Sequence, residues 1–275
     1  MKTMKAAVLF ASITMAMTAQ ANFQYPDDSG IYYDIDGDGK AFVQYVDVNA
    51  VSGDVVIPES VEYDGSSYPV CYFGEYAKFY GAHAMTSVVI PSSISEIPGY
   101  WFQDCTNLAS VTVGCKTIGE NAFRGDAKLG SVILKDGVES IEAAALCELT
   151  SLKTITLPAS ITEIGSWQFY NNTSLTEITF NGNTPSIGSD FLNGVTSVTK
   201  ITVPTGQKDS YIAALNAAGV TNAGDIVVES TTTGIESIVE DSSEDDMKYY
   251  NLQGQPVNPD TKGIVIHNGK KYINK

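Results

Sequence analysis

The residue types best suited to acid–base, nucleophilic or metal chemistry are sparse and scattered in this sequence. Its two histidines, His83 and His267, are far apart, and neither has a second ligand at metal-binding spacing. Phosphate-binding glycine loops, nucleophile elbows and H-E-x-x-H zinc motifs are missing. Acidic residues are abundant, so counting alone leaves a glycosidase-type carboxylate pair open. We therefore expect a non-enzymatic protein without a cofactor or a metal site.

One segment, DIDGDG at 34–39, imitates the opening of a calcium-binding loop. Such a loop needs a bidentate glutamate at position 12 and helices on both sides. Position 12 is Tyr45, and the flanking runs 30–35 and 40–46 are strand-like. The segment therefore predicts the turn of a β-hairpin rather than a metal site.

Four cysteines offer possible redox or disulfide chemistry: Cys71, Cys105, Cys115 and Cys147. Their spacings match no zinc pattern, and sequence cannot choose among the three possible pairings. Free cysteine is readily buried as a small apolar residue. We favour buried, unpaired thiols.

The charge balance excludes some partners. Sixteen basic residues face 32 acidic ones, giving a net charge of −16. Phosphate backbones are held by clusters of lysine and arginine, so nucleic acid is not an expected partner. Electrostatic docking on anionic lipid is disfavoured for the same reason.

The first residues have the pattern of a secretory signal peptide, assigned here to 1–21. Lys2 and Lys5 are followed by an apolar stretch over 6–17, and Ala19 and Ala21 supply the small residues that a signal peptidase recognises. No later stretch approaches the ~18 apolar residues that are read as a membrane-spanning helix. The sequence predicts a secreted protein without a transmembrane segment.

A self-similar segment recurs through the middle of the chain. Copies begin at Ser87, Ser110, Ser131, Thr154, Glu177 and Lys200, with spacings of 23, 21, 23, 23 and 23 residues. Each opens with an alternating strand pattern, at Val88/Ile90, Val111/Val113, Val132/Leu134, Ile155/Leu157, Ile178/Phe180 and Ile201/Val203. An isoleucine series follows at Ile97, Ile118, Ile141, Ile164 and Ile187. Large apolar residues come next at Phe102, Phe123, Leu146, Phe169 and Leu192.

One such unit cannot enclose its own apolar side chains, whereas stacked units turn each series into a continuous ladder inside a coil. We therefore predict a solenoid of stacked parallel β-strands with irregular or short-helical return segments. It covers residues 54–228 in about seven units of 21–23 residues, of which the first and last are atypical. The last unit contains a short helix over 211–218.

The flanks complete the predicted organisation. Residues 22–53 form an N-terminal β-hairpin cap that hides the first strand edge. Residues 229–247 form an acidic linker, and 248–275 form a small β tail with three short strands.

The repeats also carry a family resemblance. The pattern I-x-x-I-G-x-x-A-F-x-x-x-x-x-L is visible from its second isoleucine onward within 117–129, and again over 161–175 with Gln168 at the alanine position. It resembles the BspA-like leucine-rich repeat family of bacterial surface proteins, over about residues 54–220. This resemblance implies a leucine-rich-repeat fold, display at the cell surface and an adhesin-like role. The ending, with YNLQGQ, KGI and NGKK, resembles C-terminal sorting tails of secreted Bacteroidota proteins, and it leaves removal of the tail open.

Two sets of residues are candidates for partner binding. The first set faces outward between the core positions of each strand, at Val89, Thr112, Ile133, Thr156, Thr179 and Thr202. The threonines could offer a flat hydroxyl surface to an extended partner, although threonine also simply favours strands. The second set lies at the opposite bend, at Tyr100, Trp101, Trp167 and Tyr170. Such aromatics either anchor an interface or pack under neighbouring coils.

Three functional hypotheses follow. The first is a surface-displayed binding or adhesion protein that recognises an extracellular protein or glycan through a broad repeat face. The second is a structural spacer, and the third is a secreted carbohydrate-active enzyme. The sequence names no ligand and leaves the oligomeric state open.

Overall fold

The computed structural model describes residues 29–230 throughout and, beyond them, the backbone of five short strands. The predicted signal peptide, 1–21, lies outside the described residues, as does most of the predicted linker, 229–247. The chain divides into two compact units, Met1–Glu229 and Ser230–Lys275.

Strands and helices are numbered in chain order. The strands are β1 (Phe23–Gln24), β2 (Ile31–Ile35), β3 (Ala41–Val46), β4 (Gly53–Val56), β5 (Ser60–Tyr63), β6 (Ser66–Tyr76), β7 (Met85–Ile90), β8 (Glu96–Ile97), β9 (Ser110–Val113), β10 (Thr117–Ile118), β11 (Ser131–Leu134), β12 (Ser140–Ile141), β13 (Thr154–Leu157), β14 (Glu163–Ile164), β15 (Glu177–Phe180), β16 (Ser186–Ile187), β17 (Lys200–Val203), β18 (Val227–Glu229), β19 (Tyr249–Tyr250), β20 (Pro256–Val257), β21 (Gly263–His267) and β22 (Lys270–Asn274). The helices are α1 (Lys208–Ala217) and α2 (Ala223–Ile226).

The repeated strands stack in parallel, one from each coil. They form two sheets, β4-β7-β9-β11 and β13-β15-β17-β18, which together we call the broad ladder. Register is kept from copy to copy, so that Ser87 lies opposite Ser110 and Ile90 opposite Val113. The inward residues of the six copies are buried, from Val88 and Ile90 in β7 to Ile201 and Val203 in β17. The predicted solenoid of stacked parallel strands is confirmed.

A second parallel sheet follows the isoleucine series. Its two-residue strands pair in the order β8-β10-β12-β14-β16, and we call it the narrow ladder. Ile97, Ile118, Ile141 and Ile164 are buried in it, while Ile187 is partly buried against the core.

Glycine after the isoleucine lets neighbouring coils approach closely. A Cβ built on Gly165 would lie 2.4 Å from the backbone nitrogen of Ala143, and one on Gly188 would lie 2.4 Å from that of Ser166. Real Cβ atoms do not come so near to backbone, so only glycine fits. This contact explains the I-G pair of the repeat pattern.

Aromatic rings fill the middle of the coils. Phe79, Phe102 and Phe123 are stacked in sequence, with centroids 4.7 Å and then 5.3 Å apart. The prediction is wrong at one rung, because Phe191 and not Leu192 is fully buried in the fifth copy. Phe191 lies 5.1 Å from the Phe169 ring, edge to face, and Leu192 is only partly buried. The larger side chain fills the core, so the residue before the expected one turns inward.

Two buried polar side chains join coils at equivalent bends. Asn172 donates from Nδ2 to the Leu146 carbonyl at 3.0 Å and accepts the Leu149 N–H at Oδ1, 2.9 Å away. Asp126 accepts the Cys105 N–H at Oδ1, 2.7 Å away, but its buried Oδ2 has no partner.

The two ends of the solenoid differ. At the C-terminal end, α1 overlaps the predicted helix but begins three residues earlier and ends one residue earlier. Tyr211 is buried there and donates its hydroxyl to the Gly182 carbonyl at 2.9 Å. At the N-terminal end, the predicted hairpin forms from β2 and β3, which pair antiparallel. It does not pair with β4 as a cover for the first strand edge. It pairs in parallel with β6, because the insertion in the first unit forms an eleven-residue strand that offers a longer partner.

The C-terminal unit is an antiparallel sheet in the order β20-β19-β21-β22. The first of the three predicted strand segments divides into two strands that pair with each other, Tyr249 opposite Val257. Its resemblance to sorting tails stays a prediction.

Candidate functional site

The outward residues of the broad ladder lie in one column. Register partners run from Val56 through Val89, Thr112 and Ile133, and again from Thr156 through Thr179 and Thr202 to Val228. We call these eight residues the strand column. With strands about 4.8 Å apart, eight of them span roughly 34 Å.

The strand column holds no charge, in a chain whose net charge is −16. All eight side chains are β-branched. Val56 and Ile133 are the most exposed of its aliphatic residues, at 59% and 54%. The predicted binding residues Thr112, Thr156, Thr179 and Thr202 are therefore brought together on one surface.

Beside the strand column runs a second line of short polar side chains. Its members are Ser87, Ser110, Ser131 and Thr154, and charged residues stand only near its ends. At one end Asp54 accepts the Ser87 hydroxyl at 2.7 Å, and this bond and that from Thr86 lower the pKa of the Asp54 carboxyl. At the other end Lys200 and Glu177 form an ion pair at 3.3 Å.

The broad ladder is interrupted between β11 and β13. Among the described residues no backbone hydrogen bond joins these strands, although β12 and β14 of the same coils pair. A surface cleft of about 400 Å³ opens there, lined by Gly130, Ser131, Val132, Ile133, Leu134, Thr154 and Thr156. The cleft therefore lies in the middle of the strand column.

The aromatic candidates form two separate pairs. Tyr100 and Trp167 occupy the same bend position in coils three turns apart, which corresponds to roughly 14 Å. Both have positive φ, 67° and 61°, and both are exposed. Trp101 is partly buried against the core, whereas Tyr170 contacts the Trp167 ring at 5.4 Å.

The left-handed conformation at this bend recurs in the five coils that begin at residues 87, 110, 131, 154 and 177, at Tyr100, Asn121, Ala144, Trp167 and Asp190. The bend is thus a property of the repeat, and each unit uses it with a different side chain. Its aromatic residues do not form one continuous patch.

The DIDGDG segment at 34–39 contains the turn of the hairpin between β2 and β3, as its strand-like flanks predicted. Asp36 Oδ1 accepts the backbone N–H groups of Asp38 and Lys40 at 3.0 and 2.9 Å, and Oδ2 accepts the Tyr72 hydroxyl. The Lys40 N–H is the main cause of the lowered pKa of Asp36. These bonds occupy the carboxylate within the turn.

All four cysteines are unpaired. Cys105, Cys115 and Cys147 are buried, while Cys71 is partly exposed. Burial raises the pKa of the Cys147 thiol to about 11 and that of Cys115 to about 12. The buried thiols therefore pack as neutral small side chains, whereas the prediction of burial is wrong for Cys71.

Sequence reasoning missed the two ends of the strand column and its central cleft. Val56 and Val228 lie in units whose repeat pattern is degenerate, so alignment of the copies did not reach them. In each strand the residue after the first buried residue points outward, and that position would have identified Val56 and Val228. Neither helix of the described residues could span a membrane.

The coils match a known repeat family. Residues 72–116 and 116–239 match the family described as BspA type leucine-rich repeat region, in six copies. The chain belongs to the BspA-type leucine-rich repeat family. The resemblance inferred from the repeat pattern is confirmed, and the family is one of non-enzymatic repeat scaffolds.

Solved bacterial leucine-rich repeat proteins are similar to the chain. One from Bacteroides capillosus ATCC 29799 is 23% identical, over 58% of this chain and 99% of its own, with a TM-score of 0.40. The T. pallidum leucine-rich repeat protein is 24% identical, over 64% of this chain and 70% of its own, with a TM-score of 0.42. A leucine-rich cell surface protein from Faecalibacterium prausnitzii A2-165 is 18% identical, over 68% and 71%, with a TM-score of 0.30. No curated protein matches the chain.

Proposed function

We propose that this BspA-type repeat protein is displayed at the cell surface and binds an extracellular protein or glycan along the strand column. The observation that carries the proposal is an uncharged, β-branched surface across eight strands of a strongly acidic chain. Charged residues are depleted at the cores of protein interfaces, because their desolvation is expensive. A solvated surface of this protein has no comparable reason to avoid them.

The shape of the surface selects the kind of partner. A row of short side chains about 34 Å long, with one cleft at its middle, suits an extended ligand that contacts several coils. The neighbouring hydroxyls of Ser110, Ser131 and Thr154 can donate to and accept from such a ligand. No single coil then has to supply a deep pocket.

Binding is tested with the chain lacking residues 1–21 on arrays of extracellular-matrix proteins and glycans. The double variant Thr156→Lys/Thr179→Lys places two charges on the strand column, and it should abolish binding without unfolding the protein. The matched control is Thr117→Lys/Ser186→Lys, which adds the same charges on two strands of the narrow ladder, β10 and β16. Equal binding by both variants would exclude the strand column as the site.

Two further results would replace the proposal. Failure of the chain to bind any array would favour a spacer role, and release of reducing sugar from a glycan would indicate an enzyme. Surface display is tested by protease treatment of intact cells, which should remove the protein. Protein found only in the periplasm would contradict display.

A further inference from the structure

Three tyrosines cross the N-terminal sheet in a row, away from the strand column. Tyr32 on β2 is the register partner of Tyr45 on β3, and Tyr45 is the partner of Tyr76 on β6. The Tyr32 and Tyr45 rings are tilted at 45° with centroids 5.6 Å apart. Tyr45 is 48% exposed and Tyr76 is 69% exposed. Because the row crosses three neighbouring strands, it is roughly 10 Å long.

A cleft of about 370 Å³ opens at this row, lined by Tyr45, Glu75, Tyr76 and Lys78. Its lining includes one carboxylate, one ammonium group and no aliphatic side chain. Lys78 Nζ lies 5.0 Å from the centre of the Trp101 ring, a cation–π contact that fixes the ammonium group at the cleft. The cleft is thus aromatic, with polar groups of balanced charge at its edge.

The sheet beneath the row is fixed by a second aromatic contact. Phe42 stacks on Tyr72 with centroids 4.9 Å apart and planes 7° from parallel. The Phe42 ring also covers Gly74, where a Cβ would lie 3.1 Å from it. Tyr72 in turn donates its hydroxyl to Asp36 at 3.0 Å. A preorganised surface loses little conformational entropy when it binds a ligand.

We propose that the tyrosine platform, defined as Tyr32, Tyr45 and Tyr76 with Glu75 and Lys78, binds an uncharged glycan chain. A sugar ring has a C–H face that can lie on an aromatic ring and hydroxyls around its edge that bond to a carboxylate and an ammonium group. A charged ligand would meet a like charge, whichever its sign. The platform is a second site, separate from the proposed site on the strand column.

The test is native gel electrophoresis of residues 22–275 through soluble polysaccharides. Three neutral polymers, a β-glucan, a galactomannan and an arabinoxylan, are compared with polygalacturonate and heparin. We expect at least one neutral polymer to retard the protein. The variant Tyr45→Ala/Tyr76→Ala should weaken the apparent affinity by about tenfold or more, since it removes two stacking rings.

Two controls separate stacking from structure. Tyr80→Ala removes a ring that is 52% exposed but does not line the cleft, and it should leave retardation unchanged. Tyr45→Phe/Tyr76→Phe keeps both rings and should keep most of the retardation. Thermal unfolding midpoints confirm that each variant is folded.

Several outcomes would overturn the proposal. They are absence of retardation by all three neutral polymers, retardation by the charged polymers alone, and equal retardation of the alanine variant and the wild type. Loss of retardation in Thr156→Lys/Thr179→Lys, with the platform intact, would assign the glycan to the strand column instead.

Discussion

The same coils build two parallel ladders that differ in continuity. The narrow ladder runs unbroken from β8 to β16, whereas the broad ladder is interrupted between β11 and β13. The narrow ladder has glycines in backbone contact, such as Gly165 against Ala143. The broad ladder has four-residue strands and therefore more hydrogen bonds per junction. Its interruption shows that the number of hydrogen bonds does not decide which ladder stays closed.

Backbone hydrogen bonds on the return side hold the coils together where the broad ladder is open. The Glu148 N–H still donates to the Tyr170 carbonyl at 2.7 Å, and the Ala144 N–H to the Ser166 carbonyl at 2.8 Å. The return side therefore keeps the coils in register, and the strand face can separate locally without loss of the stack. The strand face, which has the proposed binding role, is therefore more adaptable than the return side.

The largest effect is expected from a core ring that both ladders share. Phe123→Ala removes a fully buried ring stacked on Phe102, and it should lower the free energy of unfolding by about 4 kcal/mol. Urea denaturation followed by circular dichroism measures the loss. Tyr80→Ala, at an exposed position, should change stability by no more than about 0.5 kcal/mol. A loss below about 1 kcal/mol for Phe123→Ala would show that the ring stack does not support the coils.

A smaller effect is expected where only the narrow ladder is disturbed. Gly165→Ala places a Cβ 2.4 Å from the Ala143 nitrogen, so the coils must move apart, at a cost of about 3 kcal/mol. Gly224→Ala is the matched control, because a Cβ there has no atom within 4 Å. Urea denaturation should separate the two variants clearly. If both were equally stable, close approach at the glycine would not be what keeps this ladder closed.

The buried bend residues predict a pH dependence. Burial raises the pKa of Asp126 to about 9, despite the opposing hydrogen bond from the Cys105 N–H. Between about pH 4 and pH 9 the folded chain therefore holds a proton that the unfolded chain has released, and stability falls as pH rises through this range. The contribution of this protonated carboxyl to stability is fully present below the unfolded pKa, about 4, and is lost as pH rises toward the folded pKa, about 9.

Asp126→Asn reproduces the amide that Asn172 supplies at the equivalent bend, where it bonds to Leu146 and Leu149. The variant should be more stable than the wild type at pH 8, and the difference should shrink toward pH 4. Thermal unfolding at a series of pH values measures it. A constant difference would mean that Asp126 is ionised in the folded chain.

Much of this fold follows from the sequence because its information is local and repeated. The spacing of Val111, Val113 and Ile118 fixes which residues turn inward, and copies 21–23 residues apart fix the stack. The exchange of Leu192 for Phe191 could not be predicted, since two neighbouring apolar residues compete for one rung. Only packing against Phe169 decides between them.

The candidate binding sites could be predicted less well from the sequence, because they depend on pairing between distant segments. Tyr32, Tyr45 and Tyr76 form a row only because β6 pairs with β3, and no repeat pattern specifies that contact. The interruption between β11 and β13 has no evident signal either. Pro158 follows β13 and lacks an N–H, but Pro204 follows β17, which remains paired.

The smallest expected effect is a difference in amide exchange at the interruption between β11 and β13, without a change in stability. Ser131 and Lys135 donate toward β9, at Ala109 and Val113, so the alternation of a parallel strand directs the Leu134 N–H toward β13. We therefore expect the Leu134 amide to exchange with solvent deuterium faster than the Val113 amide, which lies in a paired strand, by about tenfold or more. Amide exchange followed by NMR measures both in one sample. Equal protection would mean that β11 and β13 close in solution, and the contrast between the two ladders would then disappear. Faster exchange at Leu134 alone would identify the middle of the strand column as the place where the surface opens most easily to a partner.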